Sequence, residues 1–402
     1  MIGKAVAIKP GNPEALVNLG NALQELKRHD QALASYDKAL ALKPDYAEAL
    51  SNRGLTLQAL KRHDEALASY GKALALEPDF AEAHANLGLL RLLLGDFERG
   101  WEEYEWRWKG PSFSASRRNF SQPLWLGEDG VSGKTLLIHA EQGLGDTIQF
   151  VRYARQAAEK GATVVLQVQP ALKALLASAF GRYQVLAEGE PLPRFDLHCP
   201  FLSLPLAFKT RLDSIPAQVP YLAAPVAAID KWSDRLGQKG VPRIGIVWSG
   251  RSTHANDANR SIALTRLMPL RSPDVQLVSL QNEVRAEDAR VLTANAQILH
   301  FGPELKDFSD TAALVSLVDL VVSVDTSVAH LAGALGKPVW ILVPFAPDWR
   351  WLLEREDSPW YPSARIFRQP KLGDWDSVID KVRQALTERL ASDPPSIPGT
   401  RA

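Results

Sequence analysis

The sequence has little cysteine and no long apolar run, and both shortages restrict the kind of protein it encodes. Cys199 is the single cysteine among 402 residues, which excludes an internal disulfide framework. The longest apolar stretch, 314–324, is interrupted by two serines and an aspartate, and it is far shorter than the roughly 20 residues that cross a bilayer. Residues 1–10 lack the pattern of a signal peptide. We therefore expect a cytoplasmic protein without a membrane span.

An excess of either charge is also missing. Lys and Arg together number 46, as do Asp and Glu, so the formal net charge is zero. Nucleic-acid binding relies on a basic face that releases counterions, so nucleic acid is excluded as the main partner. The length predicts two to three domains.

Three common enzyme motifs are absent. The sequence contains neither the G-x-x-x-x-G-K-[ST] loop of P-loop enzymes nor the G-x-S-x-G elbow of serine hydrolases. The glycine pair at 143 and 145 lacks the third glycine of a dinucleotide fingerprint, which disfavours NAD.

The first third of the chain contains a repeat of about 34 residues. This period is typical of helix-turn-helix tetratricopeptide units, which stack into a solenoid with an extended concave surface that usually binds a peptide or protein. We predict an α-solenoid over 1–110, and a stabilising cap or oligomerisation arm without a ligand is the alternative. The positions that recur are Gly20, Gly54 and Gly88; Leu26, Leu60 and Leu94; and Tyr36, Tyr70 and Tyr104.

Two groups of side chains in the array have candidate roles. Four asparagines on first-helix positions could hydrogen-bond a peptide backbone in the groove, or could equally be solvated surface: Asn18, Asn21, Asn52 and Asn86. The third unit departs from the repeat, as terminal units often do, and its tryptophans are predicted to pack onto the next domain rather than to stack on sugars: Trp101, Trp106 and Trp108.

After a predicted linker at 111–130, short apolar runs alternate with helical patterns. This alternation indicates parallel sheets covered by helices on both faces. A proline-rich joint at 215–221 divides them into two Rossmann-like halves, 131–222 and 223–390, and a proline-rich tail at 391–402 is predicted to be disordered. Ligands of such sheets bind at the carboxyl ends of the strands, in the cleft between the halves.

The loop after the first predicted strand is a candidate site. Gly143 and Gly145 would allow the backbone to approach a ligand closely. Asp146 follows at the start of a helix, where an aspartate is more often an N-cap than a general base.

A second candidate loop lies between a buried strand and a helix in the second half. Asp325, Thr326 and Ser327 stand at the helix start, where backbone amides and hydroxyls suit a diphosphate. His330 follows one turn later and is as consistent with a structural role as with an added donor.

The remaining candidates lie on a polar loop, after a predicted strand and at the start of the C-terminal helix. Arg251 and Arg260 lie on a cationic loop that could neutralise a leaving phosphate or simply be surface. Gln281 is a possible nucleoside contact. The triplet 374–376, D-x-D, is interpreted as a helix cap because no clustered His or Cys accompanies it, and no metal is expected.

Beyond residues 12–108, which resemble tetratricopeptide repeats, two motifs carry a second resemblance. The stretches at 143–146, GLGD, and 325–339, DTSVAHLAGALGKPV, are similar to bacterial glycosyltransferase family 9, the heptosyltransferase-like group with the two-domain GT-B fold. This resemblance covers about 131–390. The whole chain resembles tetratricopeptide-linked bacterial glycosyltransferases, some relatives of which modify flagellin.

The resemblance implies an inverting, metal-independent transfer of a sugar from a nucleotide-sugar donor, with no other cofactor. Asp146 would be the catalytic base on the acceptor side, and 325–330 would hold the donor diphosphate. Arg260 falls near a position that is usually a phosphate-binding lysine. The repeats would hold a protein acceptor.

Two other readings stay open. One is a non-catalytic adaptor in which the repeats bind a partner and the glycosyltransferase-like part is a scaffold. The other is a different GT-B chemistry such as nucleotide-sugar epimerisation, which would need further acid and base residues in the cleft.

Overall fold

The computed structural model describes residues 11–111, 117–253 and 256–392. The chain divides into two compact units: Met1–Asn119 with Lys209–Leu212 and Ala346–Leu353, and the remainder. The sequence-based boundaries are contiguous, whereas the first unit includes two short segments from much later in the chain. Of the predicted tail, 391–392 end the last helix and 393–402 lie outside the described residues.

The first unit is built from helical hairpins, which confirms the predicted α-solenoid. The helices follow one another with short turns and end in a 3-10 helix, Glu105–Trp108. Their bounds are α1 Pro13–Glu25, α2 His29–Leu42, α3 Ala47–Ala59, α4 His63–Leu76, α5 Ala81–Leu93 and α6 Phe97–Tyr104.

Two of the recurring glycines each lie against the ring of a recurring tyrosine. A Cβ built on Gly20 would lie 2.5 Å from the Tyr36 ring, and one on Gly54 would lie 2.7 Å from the Tyr70 ring. Both tyrosines are fully buried. In the first two hairpins the glycine on the first helix therefore makes room for the aromatic ring of the second helix, whereas in the third hairpin a Cβ on Gly88 would lie 2.7 Å from the backbone nitrogen of Tyr104.

The late segments close the end of the array within the first unit. The Trp101 indole donates a hydrogen bond of 3.1 Å to the Thr210 carbonyl, and its ring lies edge-on to Trp349 with centroids 5.1 Å apart. Trp101 therefore packs on chain that follows the repeats in sequence but belongs to the same compact unit, whereas the sequence predicted packing onto the next domain. Trp106 instead stacks on His84 within the array, with ring centroids 3.9 Å apart.

The second unit contains two parallel sheets, with strand orders β3-β2-β1-β4 and β10-β9-β8-β5-β6-β7. This arrangement confirms the α/β prediction and is consistent with a GT-B-like pair. The strands are β1 Thr135–His139, β2 Thr163–Val168, β3 Gln184–Ala187, β4 Leu197–Pro200, β5 Arg243–Val247, β6 Gln276–Ser279, β7 Leu299–His300, β8 Leu320–Val324, β9 Val339–Val343 and β10 Ala364–Arg368.

Helices alternate with these strands and cover the sheets. Ile246 of β5 and Val322 of β8 are fully buried in one cluster with helix residues such as Val378 and Val382. The helices are α7 Leu144–Phe150, α8 Tyr153–Glu159, α9 Pro170–Ala179, α10 Leu204–Ala207, α11 Val226–Leu236, α12 Asp257–Arg260, α13 Ala286–Ala294, α14 Phe308–Leu317, α15 Ser327–Ala334 and α16 Trp375–Ser392.

The helical patterns of the sequence predict one helix over 146–160 and one over 264–270, and both predictions were wrong. Residues 146–160 lie in two helices, α7 and α8, which meet at Val151 and Arg152. Leu264–Leu270 is a 3-10 helix that contains Pro269, whose missing N–H cannot support regular α-helical bonding.

Candidate functional site

The structure brings the two candidate loops of the second unit together. A Cβ built on Gly145, in the first turn of α7, would lie 2.9 Å from Cδ2 of His330 and 3.5 Å from Cα of Ser327. Helices α7 and α15 pack along one another at this point. The loop after β1 and the loop after β8 therefore meet at one candidate site, and glycine at 145 permits their close approach.

Asp146 belongs to the turn that begins α7. Its Oδ2 atom accepts a hydrogen bond of 2.8 Å from the Gly143 backbone N–H. Gly143 is the N-cap of α7 and Asp146 is the third residue of the helix, so this bond is the reverse bond of a capping box and not the N-cap role that the sequence favours. A carboxylate has two oxygens with several acceptor sites, and Asp146 is partly exposed, so capping is compatible with the acceptance of a proton from a bound hydroxyl.

Gln169 supports this turn and was missed by sequence reasoning. Its side chain donates to the Gln142 carbonyl at 2.8 Å and accepts from the Thr147 hydroxyl at 2.9 Å. The residue directly follows buried strand β2, and a polar side chain at the carboxyl end of a parallel strand was the signal that could have identified it. Gln169 thereby fixes the loop on both sides of the glycine pair.

The second loop presents the start of α15. Asp325 and Thr326 are nearly buried, and the Thr326 hydroxyl lies 3.1 Å from that of Ser323. The first amides of an α-helix have no partner within the helix, and the helix dipole adds partial positive charge at the same end. Thr326 and Ser327 therefore stand where an anion would be favoured.

His330 lies one turn into α15 and is 5 % exposed. Its Nδ1 atom is 2.9 Å from the hydroxyl of Tyr361, and its Nε2 atom is 4.0 Å from Oδ1 of Asp325. Tyr361 belongs to an irregular segment 31 residues away, and nothing in the sequence pattern pointed to it.

Arg260 reaches the second loop from α12. One guanidinium nitrogen donates to the Asp325 carbonyl at 3.0 Å, and a Cβ built on Gly250 would lie 2.7 Å from the same group. The Gly250 N–H in turn donates to the Ser261 hydroxyl. Arg260 is thus held beside the start of α15, whereas Arg251 is exposed and no contact places it at the site.

Gln281 has a defined structural partner. Its side-chain amide donates to the Ser249 carbonyl at 2.9 Å and accepts from the Ser249 N–H at 3.3 Å. These bonds join the ends of β5 and β6. A nucleoside contact at Gln281 stays a prediction.

The asparagines of the array lie in the first unit. Asn52 donates to Asn21 at 3.0 Å, and the Tyr36 hydroxyl donates to Asn21 at 2.7 Å, so this pair links α1 to α3 of the next hairpin. Asn18 is exposed and Asn86 partly exposed. Their role in a peptide groove stays a prediction.

Asp374 caps α16, accepting from the Ser377 N–H at 3.1 Å and from its hydroxyl at 2.8 Å, as the sequence predicts. Within residues 11–111, 117–253 and 256–392, no group of three or more His, Cys, Asp or Glu side chains is arranged to hold a metal ion. The helices of that same part of the chain include none with the length and apolar character to traverse a bilayer.

Models of two known families match parts of the chain, one in each unit. The tetratricopeptide-repeat model matches residues 12–79, and the model of glycosyltransferase family 9 (heptosyltransferase) matches residues 262–345. The second match includes the Asp325–His330 loop.

Protein FlbA of Caulobacter vibrioides (strain ATCC 19089 / CIP 103742 / CB 15) is 30% identical over 325 residues, which cover 75% of this chain and 54% of FlbA. The chain thus spans about half the length of this relative. Among solved structures, the match to MamA covers 29% of this chain and 68% of the MamA chain, at 24% sequence identity and a TM-score of 0.26. The match to the first tetratricopeptide domain of Spaghetti, bound to an HSP90 peptide, covers 24% of this chain and 77% of that chain, at 24% sequence identity and a TM-score of 0.24.

Proposed function

Because the chain joins tetratricopeptide repeats at its N-terminus to a glycosyltransferase family 9 domain in its C-terminal part, we propose that it is an inverting glycosyltransferase that glycosylates a protein. The sugar would come from a nucleotide-sugar donor, and the repeats would hold the acceptor. One observation carries the proposal: Gly145 packs on Ser327 and His330, so that the candidate base and the candidate diphosphate site share one location.

Asp146 is the proposed general base. Its carboxylate takes the proton of the acceptor hydroxyl while the oxygen attacks the anomeric carbon and the bond from that carbon to the diphosphate breaks. Attack on the side opposite the leaving group inverts the anomeric configuration. The bond from Gly143 orients the carboxylate for this step.

The leaving nucleoside diphosphate gains negative charge as the bond breaks, and the start of α15 is suited to receive it. Helix amides, the hydroxyls of Thr326 and Ser327 and the His330 ring supply fixed donors, which stabilise developing charge without reorganisation. Arg260, hydrogen-bonded to the Asp325 carbonyl, adds a permanent cation at the edge of the same loop. We propose that these groups serve in place of a metal ion.

Nucleotide binding gives the first test. Nucleoside diphosphates (UDP, GDP, ADP) and CMP are added to the full chain with EDTA or with Mg²⁺, and thermal unfolding is followed. A ligand at 100 times its Kd stabilises the fold by about 2.7 kcal/mol. A shift in EDTA supports a metal-independent site. Absence of any shift in both arms contradicts the proposal and favours the adaptor.

Substitution of the base gives the second test. Asp146→Asn keeps an oxygen that can accept from Gly143 and removes the proton acceptor, so the fold and nucleotide binding should persist. We expect transfer of radiolabelled sugar from the matching nucleotide sugar into acid-precipitable protein of a cell extract to fall by roughly 10²-fold or more. Asp196→Asn is the matched control, because that carboxylate accepts from the Thr135 N–H at the opposite end of β1.

Two outcomes would contradict this assignment. Unchanged transfer by Asp146→Asn would remove Asp146 as the base. Label that enters only glycan or lipid would leave the glycosyltransferase in place and overturn the protein acceptor.

A further inference from the structure

We propose that Tyr361 is a positioning residue that donates its hydroxyl hydrogen to Nδ1 of His330 and so fixes the tautomer whose Nε2–H is directed to the diphosphate side of the site. This inference rests on the proposed function, since it specifies how His330 becomes a donor there. It adds to the site a residue that lies outside both sequence motifs.

The contact between the two residues is buried and tightly constrained. The Tyr361 hydroxyl lies 2.9 Å from Nδ1 of His330; His330 is 5 % exposed and Tyr361 fully buried. A Cβ built on Gly333 would lie 2.4 Å from Cδ1 of Tyr361. The tyrosine ring thus packs against the α15 backbone one turn beyond His330, in space that only a glycine leaves open.

The surroundings of the other ring nitrogen decide the direction of the bond. Nε2 of His330 is 4.0 Å from Oδ1 of Asp325. In a neutral imidazole one nitrogen carries hydrogen and the other is an acceptor. If Nδ1–H donated to Tyr361, the lone pair of Nε2 would face a carboxylate oxygen; with Tyr361 as donor, Nε2–H faces it instead. The second arrangement is electrostatically favourable, and it is the common way in which a partner at one nitrogen sets the tautomer at the other.

A buried cation strengthens Tyr361 as a donor. The guanidinium carbon of Arg152 lies 4.9 Å from the centroid of the Tyr361 ring. A nearby positive charge makes a phenol hydroxyl a better donor because it stabilises the negative charge that develops on the oxygen as the O–H bond is polarised. Arg152 is held in place by bonds to the Trp360 carbonyl at 2.9 Å, the Pro216 carbonyl at 3.1 Å and the Tyr221 hydroxyl at 2.9 Å.

The tautomer can be read directly by long-range ¹⁵N–¹H NMR of the histidine rings of the full chain at neutral pH, with His330→Gln assigning the signals. We expect the Nε2–H pattern in the unmodified chain and a mixture of tautomers in Tyr361→Phe. Tyr70→Phe is the matched control, because it removes another buried phenol hydroxyl, in the repeat array, and should leave the His330 signals unchanged. An Nδ1–H pattern in the unmodified chain, or an unchanged pattern in Tyr361→Phe, overturns the inference.

Turnover gives a second readout. With the nucleotide sugar whose diphosphate stabilises the protein, Tyr361→Phe should lower kcat about tenfold, which corresponds to one hydrogen bond of about 1.4 kcal/mol, with KM for the donor within about twofold. An unchanged kcat overturns the inference while the proposed function stands. If the unmodified chain neither binds a nucleotide nor transfers sugar, the proposed function fails, and the NMR pattern still decides the tautomer.

Discussion

The repeat array is stabilised by contacts between residues close in sequence, whereas the α/β unit is stabilised by contacts between residues far apart in sequence. In the array, Gly54 meets the ring of Tyr70 only 16 residues later, and the hairpin closes on itself. In the α/β unit, Gly145 meets His330, and Arg152 donates to the carbonyl of Trp360, 208 residues away. The array depends on contacts that the sequence period displays, whereas the site depends on contacts that only the complete fold creates.

The two regions also bury polar groups differently. In the array, Asn21 accepts from the Tyr36 hydroxyl of its own hairpin and from Asn52 of the next hairpin, so these polar contacts join segments that are close in sequence. The α/β unit encloses Arg152, whose guanidinium is satisfied by two carbonyls and a hydroxyl from distant segments. Damage to the array should therefore stay local, and damage to the Arg152 cluster should spread through the unit.

Arg152→Met should have the largest effect on stability. Methionine fills similar length but leaves the carbonyls of Pro216 and Trp360 and the Tyr221 hydroxyl without this donor. An unsatisfied buried polar group costs about 1–3 kcal/mol, so we expect the free energy of unfolding of the α/β unit to fall by about 3 kcal/mol or more. Hydrogen exchange should show lost protection in α7 and α8, with α1–α4 unchanged.

Arg155→Met is the matched control for that variant. Arg155 is exposed in α8, three residues after Arg152, and its substitution should change stability by no more than about 0.5 kcal/mol. A loss below about 1 kcal/mol in Arg152→Met would mean that the desolvation of the cation offsets its bonds, as occurs for some buried charges. The contrast between the two regions would then be unfounded.

The same contrast explains which features could be predicted from the sequence. The hairpins were visible because Gly20, Gly54 and the tyrosines recur at a fixed period, and strand β8 was visible as a buried apolar run. The loops at 143–146 and 325–330 could be recognised as chemically suited and assigned to one cleft, but the close approach of Gly145 to His330 could not, because it depends on how α7 packs on α15. Tyr361 was not predictable, because its contact with His330 arises from the packing of an irregular segment against α15.

Gly54→Ala should have an intermediate and local effect. The added methyl would meet the Tyr70 ring at 2.7 Å, which forces that buried ring to move. Overpacking of this kind costs about 1–3 kcal/mol. We expect thermal unfolding of the array to shift downward, with loss of hydrogen-exchange protection confined to α3, α4 and their neighbours.

Gly71→Ala should change the stability of the same array in the opposite direction. Gly71 lies within α4, and a Cβ there would meet nothing within 4 Å, so the substitution should stabilise the helix by up to about 1 kcal/mol. Equal effects of the two substitutions would show that helix propensity, rather than the Gly54 and Tyr70 contact, sets the requirement for glycine.

The smallest effect concerns pH and the histidines that begin α2 and α4. Burial, with a contribution from Lys61, lowers the pKa of His63 below its ordinary value of 6.5; burial and Lys27 do the same for His29. The unfolded chain therefore binds these protons first, so stability is complete above about pH 6.5 and declines as the pH falls from there toward the lowered value. Phe97 occupies the equivalent place in the third hairpin and is 2 % exposed, so an aromatic ring without charge fits the position.

His63→Phe should thus remove roughly half of the histidine-dependent loss in the melting temperature of the array between about pH 7.5 and 5.5, and His29→Phe a similar share. A melting temperature that falls equally steeply with and without His63 would assign the acid sensitivity to other groups. If the change in acid sensitivity is confined to the array, protonation of one histidine affects only the neighbouring hairpins. That result would complete the contrast with the α/β unit, in which contacts join distant parts of the chain.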